Sequence, residues 1–295
     1  PAMNAALRTM LVALLALSTQ IEQAQQAFPT PDEAAKAFVA ALGTERADAE
    51  QLAALLGQDW RSYIPQQGGE REDVEAFLAL YRERHEIRPE ARHRSRLVVG
   101  NSGWELPLPL VLGRHGWFFD TRAGGETIRL RRIGRNELAT LQAVRAYHDA
   151  QMDYAEVDRD GDGVLEYARK FTSSDGQHDG LYWAEEAGED ESPLGPLFGD
   201  ELPDGDWHGY RYRILDAQGP SAPGGAYSYV LGENMSRGFA LIAWPVDYGD
   251  TGVMSFMISH EGAVFEKDLG PEGEHQALTM TRFDPDSSWQ EATEE

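Results

Sequence analysis

The chain has 295 residues, 41% of them hydrophobic, and seven Trp, which is enough for two domains with separate cores and argues against a disordered chain. It has no Cys, so disulfides, thiolate catalysis and Cys-based zinc sites are excluded. The net charge of −24 is uneven: residues 1–150 hold 19 acidic and 18 basic side chains, whereas residues 151–295 hold 31 and 8. The acidic half repels nucleic acid and anionic lipid, which removes both as its partners, and it attracts cations.

At the N-terminus Arg8 precedes an apolar run from Met10 to Leu17. A basic residue followed by a run of that length is the layout of an export signal. It predicts a signal peptide over residues 1–27, cut after Ala27, and a periplasmic or secreted protein. Gln25 departs from the small residue preferred upstream of such a cut. The run is too short to span a bilayer, and no transmembrane segment is expected.

The charge step predicts a boundary near 135–150, giving an N-terminal α+β domain over 28–134. An acidic α+β domain follows over 135–290, then a tail over 291–295. Thr30-Pro31-Asp32-Glu33 predicts a capped helix ended by Gly43. A second helix is expected from Ala47 to Leu56. A third is expected from Glu70 to His85, with Val74, Phe77, Leu78 and Tyr81 at helical spacing. Strands are expected at Ser95–Val99, Trp104–Val111 and Gly116–Asp120. Pro107 and Pro109 place the second of these at a sheet edge. Helices followed by a curved antiparallel sheet form an α+β pattern.

Asn136 is expected to cap the longest helix, with Leu138, Leu141, Val144, Tyr147 and Tyr154 forming its apolar stripe. After an acidic, proline-broken loop from Glu185 to Asp206, strands are expected at Tyr210–Leu215, Tyr227–Leu231, Phe239–Trp244, Val253–Ser259 and Val264–Lys267. A long helix packed on an antiparallel meander is the second α+β unit. The tail from Ser287 reads as frayed.

The long helix runs into Asp158-Arg-Asp160-Gly-Asp162-Gly163-Val164-Leu-Glu166. Asp158, Asp160 and Asp162 occupy positions 1, 3 and 5 of a calcium loop, and Gly163 permits the sharp turn. The Val164 carbonyl takes position 7 and Glu166 position 9. Arg169 stands at position 12, where a full EF-hand has a bidentate Glu. The expected ligand is one structural Ca²⁺ of weak affinity, with Asp175 or Asp179 completing its shell. The bland alternative is an acidic turn held by Asx-type backbone bonds, which like-charge repulsion opposes.

Other chemistry is thinly signalled. No His pair has metal-ligand helical spacing, and no nucleophile elbow or phosphate loop occurs. Asp175-Gly-Gln-His178-Asp179 is a local acid–His cluster, which reads more readily as polar turn chemistry than as an acid–base site. Arg129-Leu-Arg131-Arg132-Ile-Gly-Arg135 is the one basic cluster. It is expected to pair with the acidic half rather than with an external anion.

Trp117-Phe-Phe-Asp-Thr121, Arg131–Leu138, the Asp-rich loop, Asp179-Gly-Leu-Tyr-Trp183, Ser192–Leu197, Ala217-Gln-Gly-Pro220 and Phe283-Asp-Pro285 occur in one order. Together they resemble an exported proteobacterial family known as domain of unknown function 2950, over roughly residues 28–290. The resemblance implies export and brings no catalytic residue. Residues 136–268 are similar in layout to the globular heads of pilins and pseudopilins, without a prepilin cleavage motif. Residues 30–125 look loosely like the cone-shaped folds of nuclear-transport-factor-2 type. Both are likenesses of layout, and they carry no function. The expected role is a non-catalytic envelope protein that binds another protein or a surface polymer. The alternatives are a carboxylate- or His-dependent hydrolase of an envelope component and a pilin-like assembly subunit.

Overall fold

The computed structural model describes residues 25–64, 71–184, 191–194 and 207–293. The expected signal peptide therefore lies outside the described residues up to position 24, as does most of the acidic loop before Trp207. The chain divides into two compact units, residues 1–128 and 129–295, and the fold is α+β.

In the first unit, α1 (Pro31–Leu42), α2 (Ala49–Leu56) and α3 (Arg71–Glu83) accompany an antiparallel sheet. Thr30 caps α1 through its hydroxyl, which accepts from Glu33 N at 3.2 Å, and Gly43 ends it at φ 58°. Asp48 caps α2 by accepting from the Glu50 and Gln51 amides. The sheet runs β1 (His85–Ala91), β2 (Arg94–Val99), β4 (Leu110–Gly113), β5 (Gly116–Phe119), with β3 (Trp104–Glu105) also on β2. Its core gathers Ala34, Phe38, Leu52, Leu55, Leu97, Val99, Leu110 and Phe119. The Phe38 and Phe119 rings lie 5.2 Å apart.

Two expectations fail here. The residues 104–111 do not form one edge strand. They break into β3 and β4 around Pro107 and Pro109, and β4 lies between β2 and β5. The prolines, which lack an N–H, fall outside the residues in register. The third helix stops at Glu83 and β1 begins at His85. That strand is mostly exposed and ladders antiparallel on β2, with Arg88 bonding Glu86 and Glu105 at 3.0 Å each on its surface.

The longest helix, α4 (Thr121–Tyr154), begins well before the expected Asn136 cap. Asp120 caps it by accepting from Ala123 N at 3.0 Å. Gly124 and Gly125 lie inside the helix, where neighbouring atoms leave no room for a side chain. A Cβ on Gly124 would collide with the Leu108 side chain, and one on Gly125 would lie 2.7 Å from Tyr63. Asn136 and Glu137 are mid-helix and turn outward to other backbone. Asn136 Nδ2 donates to Thr251 O at 2.8 Å, and Glu137 Oε1 accepts from Val253 N and Met254 N at 2.9 and 3.0 Å.

The second unit is an antiparallel meander in the order β12 (Gln290–Glu291), β11 (Val264–Asp268), β10 (Met254–Ser259), β9 (Ala240–Pro245), β6 (Tyr210–Leu215). Every residue of β9 is buried, which makes it the centre of the core. Val144, Tyr147, Ala150 and Tyr154 of α4 pack into the same core, whereas Leu138 of the expected stripe is 59% exposed. β7 (Ala217–Gln218) and β8 (Tyr227–Ser228) pair with each other outside the meander, so the expected strand 227–231 is short and separate. The tail is not frayed as far as it is described: β12 pairs with β11, and Trp289 is buried. α5 (Gly273–Thr279) lies before it, and Arg213 donates to the Ala277 and Met280 carbonyls at its C-terminal end. Among the described residues no helix is long and apolar enough to cross a membrane.

Candidate metal centre

α4 delivers the chain to the Asp-rich loop, and a buried glutamine fixes where the chain returns. Gln151 is fully buried; its Nε2 donates to Ala168 O and its Oε1 accepts from Ala168 N, both at 2.8 Å. The same Nε2 reaches Tyr147 Oη at 2.9 Å. The residues between Gln151 and Ala168 are thus pinned at both ends. Within the loop, Gly161 and Gly163 adopt φ 77° and 89°, a left-handed backbone that side chains with a Cβ disfavour.

Asp158, Asp160 and Asp162 converge, with one carboxylate oxygen of each within 4.8 Å of the others. All three are exposed. Their oxygens also organise the loop. Asp158 accepts from Gly161 N at 2.8 Å and Gly163 N at 2.9 Å. Asp160 accepts from Asp162 N at 3.1 Å, and Asp162 from Val164 N at 2.7 Å. Asn234, on the chain between β8 and β9, donates to Asp162 Oδ2 at 2.6 Å. The neighbouring Met235 carbonyl accepts from Tyr167 N at 2.8 Å, so this connection backs the loop.

The charges leave a mark. The Gly163 amide, with burial opposing and Gly161 adding, holds the Asp158 carboxyl below its ordinary value. Glu166 goes the other way, raised first by burial and then by Asp160, with Asp162 adding to it and Arg169 opposing. Tyr154 is pushed up to about 12 by burial and by Glu166. Unneutralised carboxylates therefore crowd Glu166, and Arg169 at position 12 offsets part of that crowding.

Asp160 and Glu166 share a polar hollow of about 700 Å³ with Tyr154, Arg159, His178 and Asp179. Of the two residues expected to complete a shell, Asp179 lines this hollow, and Asp175 is not among its described lining. Asp179 is already engaged: Lys170 Nζ lies 2.6 Å from Oδ2, and Ser174 N donates to Oδ1 at 2.7 Å. Burial would raise its pKa, but Lys170 and Ser174 outweigh burial and lower it. The His178 ring stacks on Trp183 at 4.2 Å, while its carbonyl accepts from Tyr154 Oη at 2.9 Å. Arg159 covers the Tyr154 and Trp183 rings at 4.8 and 5.1 Å.

Two arginines of the basic cluster bond within their own unit. Arg129 donates to Gly249 O, and Arg132 bonds both the carboxylate and the carbonyl of Asp250. Sequence reasoning missed Gln151 and Asn234. Gln151 carries no motif. Asn234 comes close to the loop only once β9 has folded beside α4.

The fold and the loop define an α+β protein with converging carboxylates at the exit of its longest helix. The family model described as Protein of unknown function (DUF2950) matches residues 25–292, and the chain belongs to that family. No curated protein and no solved structure matches.

Proposed function

We propose that this chain is an exported, non-catalytic envelope protein that binds a protein or a surface polymer. In this reading one calcium ion staples its second unit through Asp158, Asp160, Asp162, the Val164 carbonyl and Glu166. The observation that supports it is the convergence of the three Asp oxygens within 4.8 Å, beside a Glu166 whose pKa is raised by burial, then by Asp160 and Asp162. A divalent cation at that point would neutralise the group. The role is structural, because the loop joins α4 to a segment pinned by Gln151.

Two of the groups that a hydrolase could use are engaged elsewhere. Asp179 is held in an ion pair with Lys170, and His178 lies flat on Trp183. A general acid or base needs a free route to a substrate proton. The non-catalytic reading therefore ranks above the hydrolase.

Calorimetric titration with calcium tests the metal. Wild type should bind with a Kd on the order of 10⁻⁴ to 10⁻³ M, and Asp160→Ala should not bind. No heat from wild type at about 5 mM calcium would remove the ion from the account. Export is tested by fusing residues 1–27 to a reporter active only outside the cytoplasm, which should become active. The binding role is tested by sedimentation with purified cell-wall polymer and by crosslinking in envelopes. Turnover of such a polymer would reverse the ranking.

A further inference from the structure

The first unit holds a cavity that the proposed calcium site does not use. It measures about 380 Å³ and lies among α1, α2, α3, the turn at Trp60 and the corner between β3 and β4. Phe38, Leu56, Trp60, Phe77, Leu106 and Leu108 are among its walls. Protein interiors rarely leave a space of this size unfilled, whereas small-molecule sites span roughly 300–1,000 Å³. The opening follows from α3. Of its residues only Leu78 is fully buried, and Val74 and Phe77, which face the cavity, are half-buried.

The wall also specifies chemistry. Asp73 is the one ionisable residue among its described lining, and it is exposed. Trp60 Nε1 has no hydrogen-bond partner among the described residues, but it is closed off within the wall, so an entering molecule does not reach it. A polar group drawn deep inside would lose its water to a wall made almost wholly of apolar side chains. An anionic head at the mouth would meet the Asp73 carboxylate.

We propose that this cavity binds the hydrocarbon chain of an uncharged amphiphile, with the polar end left in water. The site goes beyond the calcium reading and stands or falls separately from it.

The test uses the full chain with calcium chelated, titrated with decanol and with decanoate at pH 7. Decanol should shift the indole N–H signals of Trp60 and Trp104 saturably in a proton–nitrogen spectrum. Decanoate should bind roughly threefold or more weakly, and Asp73→Asn should narrow that gap. Val74→Trp, which fills the cavity from α3, should abolish the shifts while leaving the rest of the spectrum folded. If that variant does not fold, Ala47→Phe serves the same purpose from another wall residue. An unsaturable response, equal binding of both ligands, or undiminished binding in a folded filled variant would overturn the proposal.

Discussion

Gly163 turns at φ 89° directly after Asp162, the last of the three converging carboxylates. Alanine there is strained by about 1–2 kcal/mol, and Gly163→Ala should lower the unfolding free energy by that amount, seen as a lower urea midpoint at an unchanged slope. Glu166 makes the electrostatic case. Its folded-state pKa is raised by burial, then by Asp160, so its contribution is favourable below the unfolded value near about 4.3. That contribution is lost as pH rises through the folded value, and at pH 7 the ionised carboxylate destabilises the fold. With metal chelated, Glu166→Gln should therefore melt above wild type at pH 7, and the difference should vanish below about pH 4. In saturating calcium the order should reverse at pH 7. A Glu166→Gln variant that melts lower in chelator would contradict the crowding described here.

Among the elements, α4 depends on contacts its sequence does not advertise. Gln151→Ala would leave the Ala168 N–H and C=O buried and unpaired, at about 1–3 kcal/mol for each group. Chemical denaturation should show that loss. Glu137→Ala should cost about 1–3 kcal/mol, because the Val253 and Met254 amides lose their acceptor at the start of β10. The same helix shows what the sequence could convey. The α1 cap at Thr30 and the Asp spacing depend on residues close together in the chain. They were legible. The start of α4 was not, since Gly124 and Gly125 signal a break until Leu108 and Tyr63 are seen against them. The charged strand β1 has no apolar alternation to betray it; it is held by its antiparallel ladder on β2, with exposed pairs such as Arg88 with Glu105 beside it. Asn234 reaches Asp162 from 72 positions along the chain, a pairing no local pattern encodes.

For the whole molecule, charge is the governing quantity. A net −24 concentrated after residue 150 means that the second unit folds against its own repulsion. Screening should relieve this, so raising monovalent salt from low to moderate ionic strength should raise the melting temperature. Calcium should act beyond screening, since it binds at one place. At about 5 mM, with the affinity expected of such loops, occupancy contributes roughly 1–2 kcal/mol. The most direct measurement is the melting temperature of wild type and Asp160→Ala, with calcium and with chelator, at constant ionic strength. Wild type should rise by roughly 2–8 °C in calcium while Asp160→Ala stays where it was. No rise in wild type, or an equal rise in both, would contradict a calcium ion held at Asp158, Asp160 and Asp162.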